Sequence, residues 1–152
     1  MFIPYVLFLF TATISAQTYQ EEIELFQSIF GMEKKAMVSA IVKLDGDQSA
    51  AFWSLYDEYE SARKSHGQKR IKLIVNYAES YENLTDEKTA DLMKEMQALS
   101  KEYDKLMKTY FKKFSKTVNA KTAAQFYQVE IYIQAAIRLA IFEHIPFIGE
   151  LE

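Results

Sequence analysis

The sequence predicts an all-α fold, a four-helix antiparallel hairpin bundle of long amphipathic helices preceded by a cleaved signal peptide. Three observations carry this expectation. Apolar residues recur at steps of three and four over stretches much longer than a strand. Only 4 glycines and 2 prolines punctuate 152 residues, against 11 Phe and 10 Tyr, so the chain has few places to turn. Hydrophobic residues make up 49% of the chain, enough for a core that needs no cofactor or cross-link.

The first element is a leader. Residues 1–16 carry no charged side chain, run apolar from Phe2 to Phe10, and end in Thr11-Ala12-Thr13-Ile14-Ser15-Ala16. That pattern reads as a secretory signal cut after Ala16, which leaves Gln17 as the mature start and a single all-α domain over 17–152. The apolar run is shorter than the roughly 20 residues that cross a bilayer, so no membrane span is expected after cleavage. A periplasmic location follows from export.

Four amphipathic segments come next, at about 21–43, 46–82, 86–118 and 122–144. In the third, Leu92, Met96, Leu99, Tyr103, Leu106, Tyr110 and Phe114 form one stripe, which must lie against another helix. The second is apolar at both ends, through Phe52, Tyr56 and Tyr59 and then Ile74, Tyr77 and Tyr81. Its middle places Arg63, His66 and Arg70 where the stripe should continue, with Gly67 among them, and is expected to bend or protrude. The short link Glu82-Asn83-Leu84-Thr85 makes the second and third segments an antiparallel hairpin. That pairing brings residues 63–70 near 99–106, where Glu102 and Asp104 can neutralise the basic group.

The fourth segment is apolar on most sides, from Phe126 and Val129 to Ile141 and Phe142, and is expected to be buried all round. Its cover would be the tail Phe147-Ile148 or a second subunit, so a homodimer is expected. Glu130, Gln134 and Arg138 make an i, i+4 ladder on its one polar side, with a structural role as the default. Pro146 ends the helix.

Three segment starts share a pattern: Leu44-Asp45-Gly46-Asp47-Gln48, Leu84-Thr85-Asp86-Glu87-Lys88 and Lys121-Thr122-Ala123-Ala124-Gln125. The physics is that of a capping box. Asp45, Thr85 or Thr122 accepts from an orphan backbone N–H, while Gln48 or Gln125 returns a bond to the cap residue. Leu84-Thr85 supplies the opening of an LTxxQ motif, and Gln48 and Gln125 its end. In these starts the chain resembles the Spy/CpxP-type periplasmic proteins, small helical hairpins that assemble as curved dimers. Over Leu44 to Pro146 it also looks like Bacteroidetes-type envelope proteins labelled sensors of extracytoplasmic-function sigma factors. The resemblance implies an ATP-independent chaperone or an envelope stress-response module.

Chemistry of other kinds finds little footing. With no cysteine there is no thiolate nucleophile or Cys-ligated zinc, and the 2 histidines, His66 and His144, lie in different segments without a third partner. No HExxH, EF-hand or glycine-rich elbow is present. A net charge of -3, with acids and bases mixed along the chain, gives no one-signed field for a nucleic acid. The chain is therefore expected to be a non-enzymatic binding protein without a cofactor or a metal. Its expected partners are unfolded or envelope proteins, or an envelope sensor or sigma/anti-sigma component as the alternative. The candidate partner-binding residues are the off-stripe aromatics Trp53, Tyr127 and Tyr132 and the basic Arg63, Lys69 and Arg70.

Overall fold

A computed structural model describes residues 31–150, and every element among them is helical. The expected leader, its cleavage site and the beginning of the first amphipathic segment lie outside the described residues. The packing below is that of one compact unit, which begins at Lys34. Helix α1 passes through 31–41. Helix α2 spans Gly46–Ser80, a 3-10 turn spans Tyr81–Asn83, α3 spans Asp86–Thr117 and α4 spans Ala120–Phe142. No described helix is long and apolar enough to cross a membrane.

Helices α2 and α3 form the expected antiparallel hairpin, and their register is pinned along its length. The Tyr110 hydroxyl donates to Glu58 Oε1 at 3.0 Å, and Lys113 reaches the same oxygen. Farther along, the His66 Nε2–H donates to the Leu99 carbonyl at 2.8 Å and Lys69 pairs with Glu102 at 2.8 Å. These partners explain why α2 runs unbroken for 35 residues, about 52 Å, through the stretch expected to bend. His66 and Lys69 thus turn toward α3, while Arg63 is held by Glu60 of its own helix. Gly67 is tolerated because i→i−4 bonding continues on both sides of it.

The largest fully buried apolar side chains of the core are aromatic. Phe52, Tyr56 and Tyr59 of α2 meet Phe114 of α3 and Phe126 of α4, all at 2% exposure or less. The Phe114 and Phe126 centroids lie 4.4 Å apart, Phe52 and Phe114 4.9 Å apart, and Tyr59 stands edge-on to Phe126 at 5.0 Å. Aromatic pairs at these separations add about 1 kcal/mol per pair to the burial of the rings themselves. Val38 of α1 and Val42 just past its end join them one turn apart.

Helix starts correct two of the three expected caps. Thr85 does cap α3, its side chain accepting from the Lys88 N–H at 3.3 Å. Asp45 occupies the cap position of α2 but makes no side-chain bond, because the chain enters that helix through Gly46 at φ 54°, a left-handed residue. Helix α4 begins two residues earlier than expected. Asn119 is its cap and accepts from the Thr122 N–H at 2.8 Å, while Thr122 itself is inside the first turn and buried. The short Asn side chain, on extended backbone, reaches the orphan donor before Thr122 can serve. Gln48 and Gln125 return no bond to their helix starts.

Asn119→Ala and Thr85→Ala should each lower the unfolding free energy by about 1 kcal/mol in urea titrations, whereas Asp45→Ala should change it by less than about 0.5 kcal/mol. Gly46→Ala meets no atom within 4 Å. Its expected loss of about 1–2 kcal/mol is therefore backbone strain alone.

Candidate functional site

Two features stand apart from ordinary core packing, one inside the molecule and one on its surface. The inner one gathers charge where charge is costly. The Lys34 side chain of α1 has 0% exposure and its Nζ pairs with both Glu60 Oε1 and Glu130 Oε1, Glu130 being equally buried. Glu60 is in turn held by Arg63, through Nε at 3.1 Å to Oε1 and Nη2 at 3.0 Å to Oε2. The Tyr59 hydroxyl donates to Glu130 Oε2 at 2.6 Å and lies 3.4 Å from Met107 Sδ. Lys34 Nζ also sits 4.8 Å from the centre of the Tyr59 ring, a cation–π contact. Two cations thus meet two carboxylates, contributed by α1, α2 and α4.

Burial decides the ionisation of Lys34: desolvation outweighs the attraction of Glu130 and Glu60 and lowers its pKa below 10.5. Glu60 goes the other way. Burial is the largest single influence and pushes its carboxyl up, but Lys34 and Arg63 together outweigh it and hold the group below 4.5. For Arg63 burial again opposes the charge, and the bonds and attraction of Glu60 overcome it. Tyr59 is pushed far up by burial and then by the Glu130 charge, so its phenol stays a donor. Among the described residues, no group of three or more His, Asp or Glu side chains is placed to hold a metal ion.

The surface feature is the outer side of α4. Its inner side carries Thr122, Ala123, Phe126, Val129, Glu130 and Ile133. On the opposite side Ile131, Tyr132, Leu139 and Phe142 are 45, 65, 62 and 52% exposed. Helix α4 is therefore not buried all round, because Glu130 is drawn to Lys34 and fixes which side faces in. The tail does not cover the outer side either. The Tyr77 hydroxyl donates to the Pro146 carbonyl and the Tyr81 hydroxyl to the Phe147 carbonyl, each at 2.8 Å. Held there, Phe147 stacks on Phe142 at 6.0 Å and prolongs the apolar strip, remaining 63% exposed itself.

The expected partner-binding residues are dispersed over this framework. Tyr132 lies on the exposed strip. Trp53 is half-buried, packed against Phe52 and Tyr56 with Lys35 Nζ 5.2 Å from its ring, and Tyr127 is half-buried edge-on to Phe111. Arg63 is 7% exposed and committed to Glu60, so it offers nothing to a partner. Lys69 is exposed and paired with Glu102. Arg70 is half-buried, its pKa lowered by burial and then by Arg138 of α4; neither arginine has an ion-pair partner among the described residues. Lys34 and Glu130 carry no weight in a reading for exposed binding groups. Their signal was positional: Lys34, Val38 and Val42 share an i, i+4 line, and Glu130 falls between Phe126 and Ile133 on one face.

Lys34→Met should destabilise the fold by about 3–5 kcal/mol, by leaving a buried carboxylate without its cation, and adding Glu130→Leu should restore more than half of that loss in urea unfolding. Because the Glu60 carboxyl titrates lower when folded than when unfolded, its contribution is complete above pH 4.5 and is lost as pH falls below it. Thermal melts from pH 7 to pH 3 should therefore show a falling Tm below about pH 4.5 that high salt does not remove, and Glu60→Gln should flatten that slope. The chain matches no protein-family model, no curated protein and no solved structure.

Proposed function

We propose that this is a non-enzymatic binding protein of the bacterial envelope that shields apolar stretches of unfolded proteins without using ATP. The observation that carries the reading is the strip from Ile131 and Tyr132 through Leu139 and Phe142 to Phe147, exposed along one helix and continued by a pinned tail. A contiguous water-facing apolar strip marks a binding surface. Arg70 of α2 and Arg138 of α4 form no ion pair among the described residues, the charge of Arg138 disfavours that of Arg70, and such uncompensated cations suit clients that carry acidic residues near their apolar stretches. The likeness of the helix starts to the Spy/CpxP-type proteins, and the leader expected at 1–16, support a periplasmic setting and a role in envelope stress.

A homodimer belongs to the same reading. Gln128, Tyr132, Ala135, Leu139 and Phe142 follow steps of four and three, the seam of a two-helix coiled coil, and all five are exposed. A second copy would cover the seam when no client does, and client would compete with it. The preformed tail favours a further reading, in which one sensor or anti-sigma component recognises the strip specifically. A fixed shape discriminates among partners better than a pliable one.

Equimolar protein should suppress aggregation of an unrelated, chemically unfolded client, and Leu139→Glu with Phe142→Glu should reduce that suppression several-fold while leaving the Tm within about 3 °C, since both side chains are half-exposed or more. No suppression by a stably folded wild type would exclude the chaperone reading. A single saturable partner recovered from envelope extract, lost in the same double variant, would instead establish the sensor reading.

A further inference from the structure

Along α3 acids and bases are mixed as far as Asp104 and from Lys105 to Lys116 every charge is a lysine, and the helix sorts these groups by side. Lys94, Lys101, Lys105, Lys108, Lys112 and Lys116 are all exposed and follow one another at steps of seven, four, three, four and four. At 100° per residue these positions fall on one line, opposite the side that buries Leu99, Met107, Tyr110 and Phe114. The line is about 33 Å long. None of its ammonium groups has an ion-pair partner among the described residues; the paired lysines there are Lys34, Lys35, Lys69 and Lys113. The nearest carboxylates do little to neutralise it. Glu102 is turned to Lys69, and Asp104 is the one carboxylate in the shallow depression lined by Lys101, Lys105, Lys108, Thr109 and Lys112.

We infer that this lysine ridge on α3 is an electrostatic docking surface for an anionic lipid bilayer. A straight row of cations on a convex helix face touches a plane along its whole length, whereas a strand of nucleic acid needs a groove to follow and rings to stack on. The ridge carries neither: its side chains are lysines with Thr109 beside them, and the aromatic residues of α3 lie on its other sides. Lysine, a mobile point charge on a long stem, adapts to headgroups whose positions are not fixed. The chain as a whole is net -3, so the ridge is a basic exception on an acidic molecule and is the part of it that a negative surface attracts. Docking through α3 leaves the α4 strip free, on a different helix. With no apolar side chain larger than Ala98 on the ridge, adsorption is reversible and disappears with salt.

The test is co-sedimentation of the whole protein with phosphatidylglycerol-containing vesicles and with pure phosphatidylcholine vesicles. The readout is the difference between the two, because an apolar segment anywhere in the chain would bind both. Wild type should bind the anionic vesicles at about 0.05 M salt and release them at about 0.5 M. Lys101→Glu, Lys105→Glu, Lys108→Glu and Lys112→Glu together should lower the partition coefficient by at least about 100-fold with the helical spectrum unchanged. The milder pair Lys105→Gln and Lys108→Gln should lower it by more than about tenfold and secures the result if four reversals disturb folding. Equal binding to both vesicle types, binding that survives the charge changes, or capture of linear polyphosphate or single-stranded DNA without capture of vesicles would each overturn the proposal.

Discussion

The structure depends on keeping the Lys34 ammonium out of water. A charge with no exposed surface is tolerable only if counter-charges reach it, and here they come from two other helices, Glu60 on α2 and Glu130 on α4. The consequences spread outward from that point. Glu60 needs Arg63 to balance the second carboxylate, so the guanidinium is withdrawn from the surface. Glu130 must point inward and takes a bond from Tyr59, which places that ring edge-on to Phe126 in the aromatic core. The rotation of α4 about its axis is then determined. With Phe126, Glu130 and Ile133 inside, the opposite apolar residues have nowhere to go but outward.

Much of this was legible in the sequence and some of it was not, for identifiable reasons. The long stripe of α3 and the Glu82–Thr85 link specify a hairpin, because a period of three and four over so many turns has one interpretation. Helix α4 defeats the same method. Apolar residues surround it, so periodicity cannot say which side faces in, and the deciding contact is with Lys34, far away along the chain. Arg63 fails similarly: a basic residue in a polar stretch reads as solvated until the Glu60 carboxylate one turn before it, and the buried ammonium beyond, are seen together. At the start of α4 Thr122 and Gln125 present the more familiar cap pattern and mask Asn119, though the helix begins two residues before Thr122. The starts of α2 and α3 were placed to the residue, even where the side chain expected to cap α2 makes no bond.

Surface chemistry was hidden by a different cause. A net charge near neutrality and interspersed signs suggest a featureless field, yet winding the chain into a helix separates residues that are adjacent in sequence and aligns others several positions apart. On α3 this collects lysines into a row, and on α4 it collects aliphatic and aromatic groups into a strip. The two surfaces are of opposite character and occupy different helices, so a molecule resting on one can still use the other.

The attachment of the tail has an evolutionary reading. Tyr77 and Tyr81 grip the backbone carbonyls of Pro146 and Phe147, not their side chains. Every amino acid supplies such a carbonyl. The side chains at 147 and 148 can therefore be exchanged over generations without loosening the anchor, and the end of the strip becomes a place where recognition can change while the helices behind it stay constant.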